Sequence, residues 1–331
     1  MRRYETTAYA RAGLVGNPSD GYFGKTISFT MRNFAAHVVI YEWPTIEILP
    51  SSEDHMRFDS LSELAEDVAR NGYYGGLRLV AAAIKMFHDY CTQEGFTLSR
   101  RNFTIRYSTN VPRQVGLAGS SAIVTATFRA LMNFFQVNIP GPILPDWVMN
   151  TELKELGIGC GLQDRVAQCY EGLVYMDFDR DIMEREGHGV YEHIDPEILP
   201  PLYVAYKTEL AEISGVMHND LRERWQRGER KVHDAMREFA ALTDRARACL
   251  VEHRPEQLAD SINANFDLRR SIIPIRDEHV AMVETARSCG ASAKFAGSGG
   301  AIVGTYPDEN VLTRLRTELK KLNCTVILPR I

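Results

Sequence analysis

The chain of 331 residues lacks three features that would place it in a specialised class: a long apolar run, paired cysteines and an excess of positive charge. Because no apolar run approaches the length of a transmembrane helix, we expect no membrane partner. The six cysteines are scattered and form no Cys-x-x-Cys pair, which predicts reduced thiols and a cytoplasmic protein. The net charge of −5 argues against nucleic acid as a partner.

The N-terminal residues lack the apolar core of a signal peptide, and the chain has no internal repeat. What it contains is ordinary for a globular protein, with 45% hydrophobic and 24% charged residues. Pro196, Pro200 and Pro201 interrupt regular structure, so we predict two domains, at residues 1–195 and 196–331. The oligomeric state stays open between a monomer and a homodimer.

Hydrophobic periodicity predicts strands and helices mixed without strict alternation, which favours an α+β fold. The predicted strands are 7–14, 26–30, 35–42, 45–49, 103–108, 173–178, 202–207 and 325–328. The predicted helices are 61–71, 76–94, 123–135, 147–155, 163–170, 278–288 and 310–322, with further helices within 218–252 and 255–271. Residues 291–305 fit a strand and a turn followed by either a strand or a helix.

The most informative stretch is a turn of small residues, Pro112–Ala122, between a predicted strand and a predicted helix. Gly116 and Gly119 let the backbone approach a ligand, and the next amides would lie at the positive end of the helix. Such a turn holds an anion, phosphate above all. No lysine follows the second glycine, so the pattern is not a P-loop. The alternative is an ordinary serine-capped helix.

A second turn, Ala10–Asp20, ends a predicted strand and carries Arg11, Asn17 and Asp20. Asp20 can accept hydrogen bonds from substrate hydroxyls, and Arg11 can supply a fixed cation. The alternative is that these polar side chains only serve the backbone of the turn.

Asp164 follows a run of small residues that would let a ligand approach, and it begins a predicted helix. The alternative for Asp164 is a helix N-cap. For Glu152, on the preceding predicted helix, the alternative is an exposed surface position. Cys160 lies among the same small residues; because no base partner can be identified, we predict that it packs rather than reacts.

A last stretch, Lys294–Ala301, is again rich in glycine and is flanked by apolar residues. A hairpin turn is the alternative here. Two loops of small residues in different halves of the chain suggest a cleft that closes around one ligand.

With these segments in this order, the chain resembles the GHMP kinase superfamily. Its members carry an N-terminal substrate motif, a central Pro-x3-Gly-Leu-x-x-Ser-Ser-Ala loop and a C-terminal glycine-rich loop. Within the superfamily, the sequences of the motifs resemble those of the glucuronokinase group most. Asn17-Pro18 stands where galactokinase-like members have Glu-His, which argues against galactose. Residues 211–218 lack the lysine that is usual in the glucuronokinase group, which weakens the prediction of a substrate contact there. The segments that carry the likeness to this group are Ala10–Asp20, Gly72–Arg78, Gly161–Gln168 and Lys294–Ala301.

The resemblance implies a fold with an N-terminal ribosomal protein S5 domain 2-like domain, a C-terminal ferredoxin-like domain and the active site between them. It implies a sugar 1-kinase that uses ATP and Mg²⁺ to convert D-glucuronate to 1-phospho-α-D-glucuronate. Asp164 would be the general base with Arg11 facing it, and Ser121 and Glu152 would hold Mg²⁺. The ATP phosphates would contact Pro112, Gly116, Leu117, Ala118, Gly119, Ser120, Ser121 and Ala122. The sugar would contact Asn17, Asp20, Arg113, Arg165, Arg270, Gly297, Ser298 and Gly299.

A sugar carboxylate is best bound by arginine, because the guanidinium group donates two parallel hydrogen bonds. The candidates are Arg78, Arg113, Arg165 and the Arg269-Arg270 pair. Two rival functions stay open: a GHMP kinase for galacturonate, fucose or a heptose phosphate, and a sensor that binds ATP and sugar without turnover. The presence of Asp164, Ser121 and Glu152 favours a kinase over a sensor.

Overall fold

The structure is a computed structural model that describes residues 2–54, 59–61, 75–207 and 214–331. The helix predicted at 61–71 lies, beyond Leu61, outside the described residues. No helix in these ranges combines the length and the apolar character that crossing a membrane requires.

Within the described ranges, six strands of the first half form one sheet in the order β3-β4-β2-β5-β6, with β1 paired to β2. All neighbours are antiparallel except β3 and β4. The strands are β1 (Arg3–Val15), β2 (Lys25–Glu42), β3 (Glu47–Leu49), β4 (Phe103–Thr109), β5 (Leu173–Asp177) and β6 (Val190–Ile194).

The long central strand β2 replaces the two separate strands predicted at 26–30 and 35–42. Its register against β1 shifts between Tyr9 and Ala10, whose partners are Ala35 and Met31. The residues between these partners form an irregularity within one strand. The polar sequence there resembled a turn, but pairing with β1 on both sides keeps the strand continuous.

Helices of the first half cover one face of this sheet. They are α1 (Gly76–Gln93), α2 (Gly119–Phe135), α3 (Leu144–Asn150), α4 (Gln163–Tyr170) and α5 (Arg180–Glu186), and a π-helical turn, Thr151–Glu155, follows α3. In α2, Ala122, Ala126 and Ala130 recur every fourth residue and are fully buried. This stripe of small side chains lets α2 lie close to β1 and β2.

The second half forms an antiparallel sheet in the order β10-β7-β9-β8. Its strands are β7 (Leu202–Tyr206), β8 (Lys294–Phe295), β9 (Ala301–Thr305) and β10 (Thr325–Ile327). Residues 291–305 are thus strand, turn and strand, the first of the two predicted forms. The helices of this half are α6 (Ser214–Gln226), α7 (Arg230–Val251), α8 (Leu258–Ile272), α9 (Asp277–Ser288) and α10 (Glu309–Lys321).

The two halves share a hydrophobic core. Leu14 and Phe29 of the first sheet lie in one buried cluster with Phe239 of α7 and Ile262 of α8. Because helices of the second half pack on the first sheet, residues that lie far apart in the sequence meet beside β1. The prolines before β7 separate the strands of the two sheets, and the division into domains 1–195 and 196–331 stays a prediction.

Candidate active site

The central turn leads from β4 into α2 through an unusual backbone. Gln114, Gly116 and Ala118 all adopt left-handed conformations, with φ of 53°, 74° and 61°. Ala118, and not a serine, precedes the first residue of α2, and it makes no side-chain cap. The simple serine-capped helix is therefore excluded. The first amides of α2 have no acceptor within the helix, because a helix leaves its first N–H groups unpaired.

The C-terminal glycine loop, residues 297–300, lies directly against this turn. A side chain at Gly116 would approach the Gly299 carbonyl oxygen to 2.8 Å, and one at Gly297 would collide with the Gly116 carbonyl oxygen. Both positions need glycine because backbone meets backbone there. The structure thus brings together the two loops that the sequence predicted to meet.

Arg11, buried on β1, links the two loops. Its Nη1 atom donates hydrogen bonds to the carbonyl oxygens of Gly116, at 3.2 Å, and of Ala296, at 2.6 Å. Its Nη2 atom forms an ion pair with Asp164 at the start of α4. One guanidinium group therefore holds the central turn, the C-terminal loop and the Asp164 carboxylate in fixed positions relative to one another.

Asp164 is not the N-cap of α4. The residue before the helix is Leu162, which makes no side-chain cap, and the Asp164 side chain pairs with Arg11. A second carboxylate lies close by: Asp20 accepts a hydrogen bond from the Gln163 backbone amide at 3.2 Å. Burial, together with the negative charge of Asp164, raises the pKa of Asp20 to about 6. Asp20 and Asp164 thus form a carboxylate pair beside Arg11.

Glu152 lies in the π-helical turn and is only 1% exposed, so the alternative of an exposed surface glutamate is wrong. It forms an ion pair with the equally buried Arg165. Arg165 also donates to the Gly161 carbonyl oxygen at 3.0 Å and lies 3.5 Å from Asp164. The positive charge of Arg165 is therefore balanced by carboxylates of the protein, next to the pair Asp20 and Asp164.

Comparison with known proteins assigns this arrangement to a family. The model of the GHMP kinases N terminal domain matches residues 78–172. "Probable glucuronokinase 2" of Arabidopsis thaliana is 44% identical over 314 residues, which cover 92% of this chain and 85% of the relative. The chain belongs to the GHMP kinase family.

Two further comparisons agree with this GHMP kinase assignment. "Glucuronokinase 1" of Arabidopsis thaliana is 41% identical to this chain over 331 residues, which cover 97% of this chain and 90% of the relative. The structure is also similar to that of the galactokinase of Lactococcus lactis complexed with galactose, with a TM-score of 0.80 and 15% sequence identity. The match covers 100% of this chain and 94% of the galactokinase chain. The α+β GHMP kinase fold predicted from the sequence is confirmed.

Three other predicted sugar-binding residues of this GHMP kinase lie in different settings. Asn17 is 4% exposed, and its side-chain oxygen accepts from Lys294 at 2.5 Å. Arg113 is exposed on the central turn. Arg270 is exposed and pairs with Glu284 on α9, so its described contacts do not include the carboxylate pair.

Two residues hold the site of this GHMP kinase in ways that the sequence did not predict. Arg269, a candidate for binding the sugar carboxylate, instead donates to the carbonyl oxygens of Gly297 and Ser298, each at 2.7 Å. Lys294 donates to Gly13, Asn17 and Phe295 oxygens, and burial, with the charges of Arg269 and Arg11, lowers its pKa. The only signal for Lys294 in the sequence was its place as the basic first residue of the motif Lys294–Ala301.

A second unpredicted contact concerns Gln168 of α4. It is buried and donates to the backbone oxygens of Tyr9, at 3.0 Å, and Ala118, at 2.8 Å. It thus holds the left-handed residue before α2 against β1.

Cys160 lies near Arg165, and burial raises the pKa of its thiol to about 11, which agrees with a packing role.

Proposed function

We propose that this GHMP kinase is a sugar-acid 1-kinase that transfers the γ-phosphoryl group of ATP to the anomeric oxygen of D-glucuronate. The observation that carries the proposal is the set of contacts made by Arg11, which joins both glycine loops to the Asp164 carboxylate. The identity of 44% and 41% to two plant glucuronokinases supports glucuronate as the sugar.

The central turn would hold the ATP phosphates. The amides at the start of α2 lie at the positive end of a helix of 17 residues and have no acceptor within it. The small residues Gly119 and Ser120 are partly exposed there, so a phosphate oxygen can reach these amides. Gly116 and Ala118 supply the left-handed backbone that turns the chain into the helix.

The residues present fit the Mg²⁺ ion that the family implies. Mg²⁺ takes oxygen ligands, usually one or two carboxylates together with substrate phosphates and waters. The hydroxyl of Ser121, which donates to the Ala118 oxygen at 3.2 Å, and the carboxylate oxygen of Glu152 that does not face Arg165 are ligands of this type. Held there, the ion would neutralise charge on the transferred phosphoryl group.

Asp164 would act as the general base. It would take the proton of the anomeric hydroxyl while that oxygen bonds to the γ-phosphorus and the bond from phosphorus to the ADP oxygen breaks. Arg11 and Arg165 lie on two sides of this carboxylate and would keep it in place. Phosphoryl transfer depends mainly on positioning and on charge stabilisation, so this fixed frame is what the reaction requires.

Asp20 would accept hydrogen bonds from sugar hydroxyls beside the base. The Gln163 amide already orients its carboxylate, and Gly161 has no side chain to stand in the way. The sugar would therefore lie against the turn that ends β1, with its anomeric oxygen toward Asp164.

A coupled assay of ADP release tests the proposal across glucuronate, galacturonate, galactose, fucose and a heptose 7-phosphate. We expect the highest kcat/KM with glucuronate. A higher kcat/KM with one of the other sugars would assign a different kinase activity. ATP and sugar binding without ADP release from any of them would indicate a sensor.

A further inference from the structure

The cation that recognises the sugar carboxylate can be sought among side chains that the described structure leaves available. The carboxylate sits on the ring carbon next to the ring oxygen, whereas the phosphoryl group goes to the anomeric carbon on that oxygen's other side. The cation must therefore lie beside the base and not on it. Among the residues that the structure describes, the buried basic side chains around the site all donate to oxygens of the protein; they are Arg11, Arg165, Arg269 and Lys294.

Helix α6 lies beside the turn that carries Asp20. Tyr22, at the end of that turn, is buried, and its ring contacts the ring of Trp225 with centroids 5.2 Å apart. Leu221 is fully buried in the same apolar cluster as Tyr22. The C-terminal part of α6 is therefore seated on the substrate turn.

Arg222 shares this face of α6. It precedes Trp225 by three residues, and residues three apart lie on one side of a helix. Its position is also visible in the electrostatics of the Tyr22 hydroxyl. Burial raises the pKa of Tyr22 to about 12, the positive charge of Arg222 acts to lower it, and the charge of Asp20 acts to raise it. The Arg222 guanidinium and the Asp20 carboxylate thus both lie within electrostatic range of one buried hydroxyl.

The partners of two arginines on α6 differ. Arg224 pairs with Glu229 at 2.7 Å, lies 3.6 Å from Asp220 and donates to the Ile272 oxygen at 2.6 Å. Arg222 is half-buried and makes no hydrogen bond or ion pair within the described ranges of the chain. A half-buried guanidinium without an acceptor among the described residues keeps its hydrogen-bond donors available to an anion.

We propose that Arg222 binds the carboxylate of the sugar acid and so selects uronates over neutral hexoses. The inference rests on the proposed function, because it takes a sugar acid as the substrate. Asp20 would accept hydroxyl hydrogen bonds at one part of the ring, and Arg222 would donate to the carboxylate at another. No motif pointed to Arg222, because it lies outside every glycine-rich stretch.

The test compares wild type with Arg222→Met and Arg222→Lys for KM of glucuronate, KM of ATP and kcat/KM with galactose. A lost charge-assisted hydrogen bond predicts a rise of about 10- to 100-fold in the glucuronate KM of Arg222→Met. We expect an ATP KM within about twofold of wild type, since only the sugar contact is lost. Lysine should restore only part of the affinity, because it lacks the two-pronged geometry.

Arg230→Met is the matched control, since it removes an exposed arginine with a 94% exposed side chain at the start of the next helix. Melting temperatures identify any variant that is merely misfolded. Preference of the wild type for a neutral sugar would overturn both the proposed function and the role of Arg222. A wild type that prefers glucuronate, with an unchanged glucuronate KM in folded Arg222→Met, would overturn the role of Arg222 alone.

Discussion

The two glycine loops look alike in sequence but differ in what their backbone groups contact. The central turn ends at the start of α2, where backbone amides are left without acceptors inside the helix. The C-terminal loop is tied inward, because Arg269 binds the carbonyl oxygens of Gly297 and Ser298 and Arg11 binds that of Ala296. Glycine makes room for neighbouring backbone at Gly116 and at Gly297, and we propose that only the first loop also admits a ligand.

We infer from this difference that a glycine-rich loop can serve the packing of the protein itself. What distinguishes the loops is the group next in the chain: a helix follows the central turn, whereas β9 follows the other. We infer that the C-terminal loop supports the central turn and that ATP contacts belong mainly to the central turn. Four predictions test this division, in order of decreasing effect on turnover.

The largest effect is expected at Asp164, the carboxylate that Arg11 ties to both loops. Asp164→Asn keeps the size of the side chain but removes the base, so kcat should fall by about 10³-fold while ATP binding persists. Steady-state kinetics and ATP titration measure the two effects. The control is Asp177→Asn, which alters a half-buried aspartate on β5 that pairs with Lys25 of β2. Near-normal kcat in Asp164→Asn would contradict its role as base.

Gly297→Ala should break the contact between the loops. The new methyl group would collide with the Gly116 carbonyl oxygen and approach Arg11 Nη1 to 3.0 Å. Displacement of the central turn should lower kcat/KM for ATP by about 100-fold. Gly141→Ala is the control, because no atom lies within 4 Å of a side chain added there. An unchanged kcat/KM for ATP would mean that the central turn does not depend on its neighbour.

The pH dependence of sugar binding tests the sugar side of the site. Because the pKa of Asp20 is raised to about 6, its carboxyl group is mostly protonated at pH 5 and mostly ionised at pH 7. A hydroxyl acceptor works best when ionised, so the glucuronate KM should fall about tenfold from pH 5 to pH 7. Asp20→Asn should remove this dependence. If the variant keeps the wild-type profile, another group is responsible.

The smallest effect on turnover is expected for Arg269→Met. It removes two donors from the C-terminal loop, so the free energy of unfolding should fall by about 1.5–3 kcal/mol, while kcat changes only a few-fold at temperatures where the variant is folded. Denaturant unfolding measures the loss. The neighbouring Arg270→Met should cost less than about 1 kcal/mol, since that ion pair is exposed. Equal losses in the two variants would contradict the supporting role of the C-terminal loop.

Much of the site could be predicted because its motifs are local. The turn 112–122, the start of α4 and the hairpin at 291–305 each follow from a few neighbouring residues. The helix α5 and the strand β6 were missed because their side chains carry little burial signal: α5 has no buried residue, and Asp179 caps it. The strand β2 was divided because its irregular centre resembled a turn.

The pairings that complete the site could not be predicted, since they join distant elements. Lys294 meets Asn17 across most of the chain, and Arg165 meets Glu152 only because α4 lies beside the π-helical turn. Arg269 and Arg270 are adjacent in sequence, yet one is buried against the C-terminal loop and the other is exposed. Only the packing of α8 distinguishes these two arginines.

The most direct test of the central claim is the identity of the product. Wild-type protein is incubated with ATP, Mg²⁺ and glucuronate, and the products are examined by phosphorus NMR. A kinase that acts on the anomeric oxygen should yield a new phosphomonoester whose phosphorus signal is split by the anomeric proton. A phosphoryl group on any other carbon, or ADP and inorganic phosphate as the only new products, would contradict the proposed reaction.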